Sequence, residues 1–151
     1  MNKRICSFIV MMIMMFTMSM SVFAEETTLT PDEAISTFAI NYFSGSTGTM
    51  NSLYQNESSI FNISSGTLPP FAKVSSVTLN VNVSSGSAPF YLNVKNPNGD
   101  VVQHYITGTG SKSVTLNQFN NTDPQGTWKV SITTTGTVST VTARMTVNYT
   151  Y

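Results

Sequence analysis

The sequence predicts an all-β protein, an antiparallel two-sheet β-sandwich preceded by one short amphipathic helix and a signal peptide. Three observations lead to this fold class. Apolar and polar residues alternate over most of the chain after residue 57, and turn-forming residues separate the alternating stretches into about seven segments. Charged residues make up only 9% of the sequence, so Ser, Thr and Asn provide the polar side of each strand. Strands that are apolar on one face only are typical of sandwiches.

Residues 1–24 have the composition of a secretory signal peptide. Lys3 and Arg4 precede an apolar run over residues 5–18, and Val22-Phe23-Ala24 provides small residues before a cut after Ala24. The alternative is an uncleaved membrane anchor, but the run is shorter than the roughly 20 apolar residues of a span. Cys6 lacks the context of a lipid attachment site. We therefore expect a secreted, extracellular protein without a membrane anchor after cleavage.

Removal of this segment changes what the rest of the chain can use for stability. Seven of the nine Met residues and the only Cys lie in residues 1–24. The mature chain then contains no disulfide, so burial of apolar side chains must stabilise it. A chain of this size supports one hydrophobic core. We predict an N-terminal segment over residues 25–56 and one sandwich domain over residues 57–151.

The stretch "LTPDEAISTFAINYFSG" predicts the helix, over about residues 31–43. Thr30 is a suitable N-cap, Pro31 suits the first helical position, and Glu33 completes a capping box. Gly45 is a suitable stop. The helix would either cover the sandwich as a lid or pack on a partner as an arm. Its apolar stripe repeats at three- and four-residue steps and consists of Ile35, Phe38, Ala39, Tyr42 and Phe43.

The first strands follow a period of two. "SSIFNIS" predicts a short strand, and "VSSVTLNVNV" places four apolar residues on one face of a longer one. "FYLNVK" and "VVQHYI" flank Asn98-Gly99, which favours a tight turn, so residues 90–106 are predicted to form a β-hairpin.

The second half of the chain repeats this pattern. "SKSVTLNQF" is predicted to bury alternate residues, with Phe119 closing one end of the core, and "DPQGTWKVSIT" turns before it sends Trp128 inward. A slip of one residue would expose a whole apolar face, so the register is well specified. The inner residues predicted for the last strand are Val141, Ala143, Met145, Val147, Tyr149 and Tyr151.

Residues 74–151 resemble the P domain that follows the catalytic domain of subtilisin-like proprotein convertases and also occurs alone in bacteria. The matching features are "VTLNVNV", "FYLNVKNPNGD", a strand that ends at Phe119, "GTWKVSI" and the terminal alternating strand. The resemblance implies a jelly-roll sandwich, and a role in stabilising a catalytic domain carried by another polypeptide. "SSGSAPF" stands where the family has acidic residues, so the family's calcium site is not carried over.

The charges restrict the class of partner. After residue 24, seven acidic residues face five bases, which gives a slightly negative chain without a basic stripe. Nucleic acid and anionic membranes are therefore poor partners. The five bases are Lys73, Lys95, Lys112, Lys129 and Arg144.

Few residues are suited to catalysis or metal binding. His104 is the only histidine, and no Gly-x-Ser-x-Gly motif provides a nucleophile. Glu57, Asp100 and Asp123 lie in predicted turns or a loop, where a carboxylate pair across a cleft is not expected. Cys and His ligand spacing is missing, and turn chemistry accounts for the oxygen-bearing side chains near Asp100. We predict no catalytic residue, no metal site and no cofactor.

Tyr91 and Tyr105 are the candidate binding residues. Strand alternation directs both to the polar side of their hairpin, where an aromatic ring can stack on a sugar or anchor a protein. The sequence thus favours a secreted, non-catalytic module that binds an extracellular protein or polysaccharide, or that stabilises another protein. Two alternatives are a small extracellular hydrolase that uses His104, and a self-assembling matrix or surface protein.

Overall fold

The computed structural model describes residues 40–151, which form nine strands and one 3-10 turn. The predicted signal peptide and residues 31–39 of the predicted helix lie outside the described residues. Residues 40–151 contain no helical segment with the length and hydropathy of a membrane span. The elements in chain order are β1 (Ile40–Ser46), β2 (Met50–Leu53), β3 (Phe61–Ser64), β4 (Lys73–Val83), β5 (Phe90–Lys95), β6 (Val101–Ile106), β7 (Gly110–Leu116), the 3-10 turn (Asn117–Phe119), β8 (Thr127–Thr134) and β9 (Val138–Thr150).

The strands form two antiparallel sheets. The five-stranded sheet has the order β1-β9-β4-β7, and β2 also pairs with β9. The four-stranded sheet has the order β3-β8-β5-β6. Apolar side chains from the inner faces of both sheets form one core, so the predicted all-β sandwich is confirmed.

The core is built from the alternate residues of the longest strands. Trp128 is fully buried, and its ring meets that of Phe119 edge to face, with centroids 5.1 Å apart. The buried indole N–H donates to the Pro124 carbonyl oxygen at 3.0 Å, so the ring's one polar group has a partner. Phe119, predicted to close one end of the core, is buried in it.

Most predicted strands occur where the sequence placed them. The hairpin over residues 90–106 is formed by β5 and β6, and β9 buries its alternate residues as far as Tyr149. Tyr151 was predicted to face inward, but it lies beyond the end of β9 and is 47% exposed. The core does not extend beyond the last paired residues.

The prediction of a helix over residues 31–43 is wrong for its C-terminal part, because Ile40–Phe43 belong to β1. This strand pairs with β9 from Ile40 opposite Thr150 to Ser46 opposite Arg144. Gly45 does not end a helix but lies in β1, where a Cβ atom would come within 2.7 Å of the Ile63 side chain. Pairing with the long strand β9 makes this segment a strand, and the spacing of its own apolar residues does not reveal that pairing. β1 and β2 also place part of the sandwich before residue 57.

Candidate functional site

The site is the outer face of the four-stranded sheet, where alternate residues of β8, β5 and β6 point away from the core. The register sets these residues in three rows that cross the strands, and we name the rows by their chemistry. Rows are two residues apart along each strand, which is roughly 6.5–7 Å. The aromatic row is Thr133, Tyr91 and Tyr105; the amide row is Ser131, Asn93 and Gln103; the lysine row is Lys129, Lys95 and Val101.

The aromatic row presents two neighbouring tyrosine rings to solvent. Tyr91 lies directly opposite Tyr105, and the ring centroids are 5.1 Å apart at an interplanar angle of 46°. The two side chains are 41% and 50% exposed. This spacing is within the range of stabilising aromatic pairs, so each ring restricts the other while both keep an accessible surface.

The amide row is a chain of side-chain hydrogen bonds. Gln103 Nε2 donates to Asn93 Oδ1 at 2.9 Å. Asn93 Nδ2 donates to Thr133 Oγ1 at 3.0 Å and, less closely, to Ser131 Oγ at 3.5 Å. The Ser131 hydroxyl donates in turn to a carboxylate oxygen of Glu57. Because each member orients the next, the amides are held in place before any ligand arrives.

Glu57 reaches this face from the chain that leads into β3. Its backbone bridges Thr133 of the aromatic row, so the residue lies beside that row, while its carboxylate accepts from Ser131 of the amide row. The negative charge is therefore at the amide row, between the tyrosines and the lysine row.

A shallow hollow of about 250 Å³ lies over the amide and lysine rows. Ile60 borders it near β3, and Val101 borders it on β6. Both apolar side chains are exposed, so they offer contact area at the rim of a mostly polar surface. The side chains between them are those of Glu57, Asn93, Lys95, Lys129 and Ser131.

His104 does not join this site. It lies on β6 opposite Leu92 and directly precedes Tyr105, so the two side chains are on opposite faces of the strand. The His104 side chain is still exposed, because β6 is an edge strand. Within residues 40–151, no hydrogen bond links His104 to a serine hydroxyl or a carboxylate. The arrangement required by the hydrolase alternative is thus not present among the described residues.

The three carboxylates of the described chain serve different local structures. Asp123 Oδ1 accepts from the Gln125 amide at 2.9 Å within a turn. Asn96, which is buried, donates to Asp100 Oδ2 and accepts from the Asp100 amide, both at 2.8 Å, and so closes the β5–β6 turn. An amide N–H that points at Asp100 is a donor and not a metal ligand. Within residues 40–151, no group of three His, Cys, Asp or Glu residues is placed to hold a metal ion.

A second recess, of about 440 Å³, lies on the five-stranded sheet between β4 and β7. It is lined by Asn80, Asn82, Ser111 and Ser113, together with Val81 and Lys112. No aromatic ring borders it, and these short polar side chains resemble the rest of that sheet's surface. The outer face of the four-stranded sheet therefore carries a greater variety of side-chain chemistry than the outer face of the five-stranded sheet.

Tyr91 and Tyr105 were identified from the sequence, but their neighbours were not. The same strand alternation places Asn93 and Gln103 beside the tyrosines, so these two amides were within reach of sequence reasoning. Ser131 and Glu57 were not, because they are brought there by β8, which pairs with the other side of β5 and is not its neighbour in the sequence. Lys95 and Lys129 become neighbours only through that same non-local pairing.

Comparison with known proteins identifies a solved structure with a similar fold. No protein-family model and no curated protein matches this chain. The crystal structure of FlhE is similar with a TM-score of 0.52 at 15% identity, over 76% of this chain and 98% of that one. A pilus protein of Bacillus endospore appendages is similar with a TM-score of 0.43 at 16% identity, over 75% and 89% of the two chains. The tomato aspermy virus structure gives 0.45 at 9% identity, over 96% and 94%. The likeness to FlhE shows a shared sandwich fold.

Proposed function

We propose that this protein is a secreted, non-catalytic module that binds a carbohydrate chain through the outer face of its four-stranded sheet. The observation that carries the proposal is the exposed Tyr91–Tyr105 pair, set beside the hydrogen-bonded amide row. Export after removal of residues 1–24 is part of the proposal, because it places the protein where polysaccharides occur.

The tyrosines provide the apolar part of such a site. A sugar ring presents C–H groups on its faces and hydroxyl groups around its rim, so it matches an aromatic ring with polar neighbours. Tyrosine offers a large, rigid contact area and has only two side-chain torsions to restrict on binding. The mutual contact of Tyr91 and Tyr105 lowers that cost further, because each ring limits the rotation of the other.

The amide row provides the polar part. A carboxamide has a two-donor nitrogen and an oxygen acceptor with two lone pairs, and a carboxylate has several acceptor sites. The network uses one N–H of Gln103 and one oxygen of Glu57, so both groups keep hydrogen-bonding capacity for sugar hydroxyls. Since Asn93 is fixed by three partners, the polar groups are arranged before binding.

The non-catalytic part of the proposal is supported by the positions of the reactive groups. His104 lies outside the site, and Glu57 is the one carboxylate beside the hollow among residues 40–151. Hydrolysis of a glycosidic bond by the usual route requires a pair of carboxyl groups on either side of that bond. Binding without turnover is the function that this set of groups supports best.

The test is carbohydrate binding by the purified protein and by single tyrosine variants. A glycan array identifies bound chains, and calorimetry then measures their affinity. We expect Tyr91→Ala and Tyr105→Ala each to weaken binding about tenfold, the loss typical of one aromatic contact. Tyr42→Ala is the matched control, because Tyr42 is an exposed strand tyrosine on the other sheet. Absence of any bound glycan, or an equal loss with Tyr42→Ala, would contradict the proposal.

A further inference from the structure

Lys95 and Lys129 lie directly opposite each other on neighbouring strands of the outer face. Residues so paired have Cβ atoms about 4.5–5.5 Å apart, and like charges in this position destabilise a sheet. These two residues are also two of only five bases after residue 24. A chain with so few positive charges places two of them where they repel each other, which points to a use other than stability.

The two lysines line the same hollow as the amide row. Lys95, Lys129, Asn93 and Ser131 all border its volume of about 250 Å³. The Glu57 carboxylate borders the hollow as well, so two ammonium groups and one carboxylate share its wall, and the net positive charge favours an anion. On the side of β5 away from Lys129, Val101 of β6 lies opposite Lys95 and adds no charge to the row.

The charge of the outer face changes from row to row along the strands. The Glu57 carboxylate accepts a hydrogen bond from Ser131 of the amide row, and the lysine row is the next row along the strands, at roughly 6.5–7 Å. A ligand that lies along the strands thus meets the tyrosines at one end and the lysines at the other. A negative group would be repelled at the amide row, where the Glu57 carboxylate lies, and attracted at the lysine row.

We infer that the bound carbohydrate carries a negatively charged substituent, a carboxylate or a sulfate, which Lys95 and Lys129 hold between them. A neutral part of the same chain stacks on Tyr91 and Tyr105. This inference rests on the proposed function, and it assigns the charge class and the orientation of the ligand. An anion between the two ammonium groups also relieves their repulsion.

The experiment compares three trisaccharides by calorimetry with the full protein. They are trigalacturonic acid, its fully methyl-esterified form, which has the same ring skeleton without charge, and a sulfated galactose trimer. We expect a charged trimer to bind roughly tenfold tighter than the neutral ester at low salt, since two exposed ion pairs contribute modestly. The difference should shrink as salt rises, because exposed charges are screened.

The lysine variants locate the effect. The double variant Lys95→Gln with Lys129→Gln should bind all three trimers as weakly as the parent binds the ester. Lys112→Gln, on β7 of the other sheet, is the control and should keep the preference for charge. The double variant should unfold at the same or a higher temperature than the parent, because a like-charge pair is removed.

The outcomes separate this inference from the proposed function. If a charged trimer binds better and the double variant loses that preference, the inference is supported, and the better of the two charged trimers identifies the substituent. If the ester binds as well as both charged trimers and Tyr91→Ala weakens it, the inference is overturned and the proposed function stands. If none of the three binds, in keeping with an empty glycan array, both are overturned.

Discussion

At the scale of single residues, the turn before β4 has an aromatic side chain where glycine or asparagine is usual. Ala72 N donates to the Pro69 oxygen at 3.4 Å, so Pro70 and Phe71 are the central residues of the turn. Phe71 has a φ of 64° and is 91% exposed. A left-handed backbone costs a residue with a Cβ atom roughly 1–2 kcal/mol, and asparagine tolerates it better. The Phe71 ring offsets little of this cost, because it packs on almost nothing.

We therefore expect Phe71→Asn to raise the free energy of unfolding by about 0.5–1 kcal/mol. Urea denaturation followed by tryptophan fluorescence measures this change, since Trp128 is buried in the core. Phe71→Ala is the control, because alanine keeps the strained backbone and should give no gain. A loss of stability in Phe71→Asn would show that the ring makes contacts that stabilise the fold.

At the scale of elements, local pattern was sufficient for the strands that alternate over six or more residues. β4, β5, β6 and β9 have this pattern, and each lies within a few residues of its predicted bounds. β1 lacks it, because "FAINYFSG" fits a three- to four-residue period as well as a period of two. Only pairing with β9, about a hundred residues later in the chain, decides between them. Of the candidate site, the tyrosines followed from alternation, whereas Glu57 and the two lysines depend on the order of the strands.

Gly45→Ala distinguishes the strand from the predicted helix stop by its dependence on Ile63. At a helix stop with a left-handed backbone, alanine in place of glycine would cost roughly 1–2 kcal/mol whatever residue stands at position 63. In β1 the new methyl group meets the Ile63 side chain at 2.7 Å, so we expect a loss of about 1–3 kcal/mol.

Urea denaturation measures this loss, and a double-mutant cycle assigns its cause. Ile63→Ala removes the atoms that the new methyl group would contact, so Gly45→Ala should cost less in that background than in the parent. Ser46→Ala, at an exposed position of the same strand, is the control for substitution in β1. An equal cost of Gly45→Ala in both backgrounds, or a stabilising effect, would contradict the position of β1 in the sheet.

At the scale of the whole molecule, the two outer faces of the sandwich differ in chemistry. The five-stranded sheet shows mostly hydroxyl and amide side chains, with the single residues Tyr42, Lys73 and Arg144 among them. The four-stranded sheet instead combines a tyrosine pair, a side-chain hydrogen-bond network and a pair of opposed lysines. The sandwich was predictable from the sequence, because its strands bury alternate residues. The resemblance to P domains stays a prediction, as does the stabilising role that it implies.

The most direct test of the central claim is an NMR titration of the isotope-labelled protein with the tightest-binding glycan of the array. We predict that the amide shifts concentrate on β5, β6 and β8, at the residues of the three rows and at Glu57. Shifts concentrated on β4 and β7, where the other recess lies, or on β1, would contradict the assignment of the binding surface.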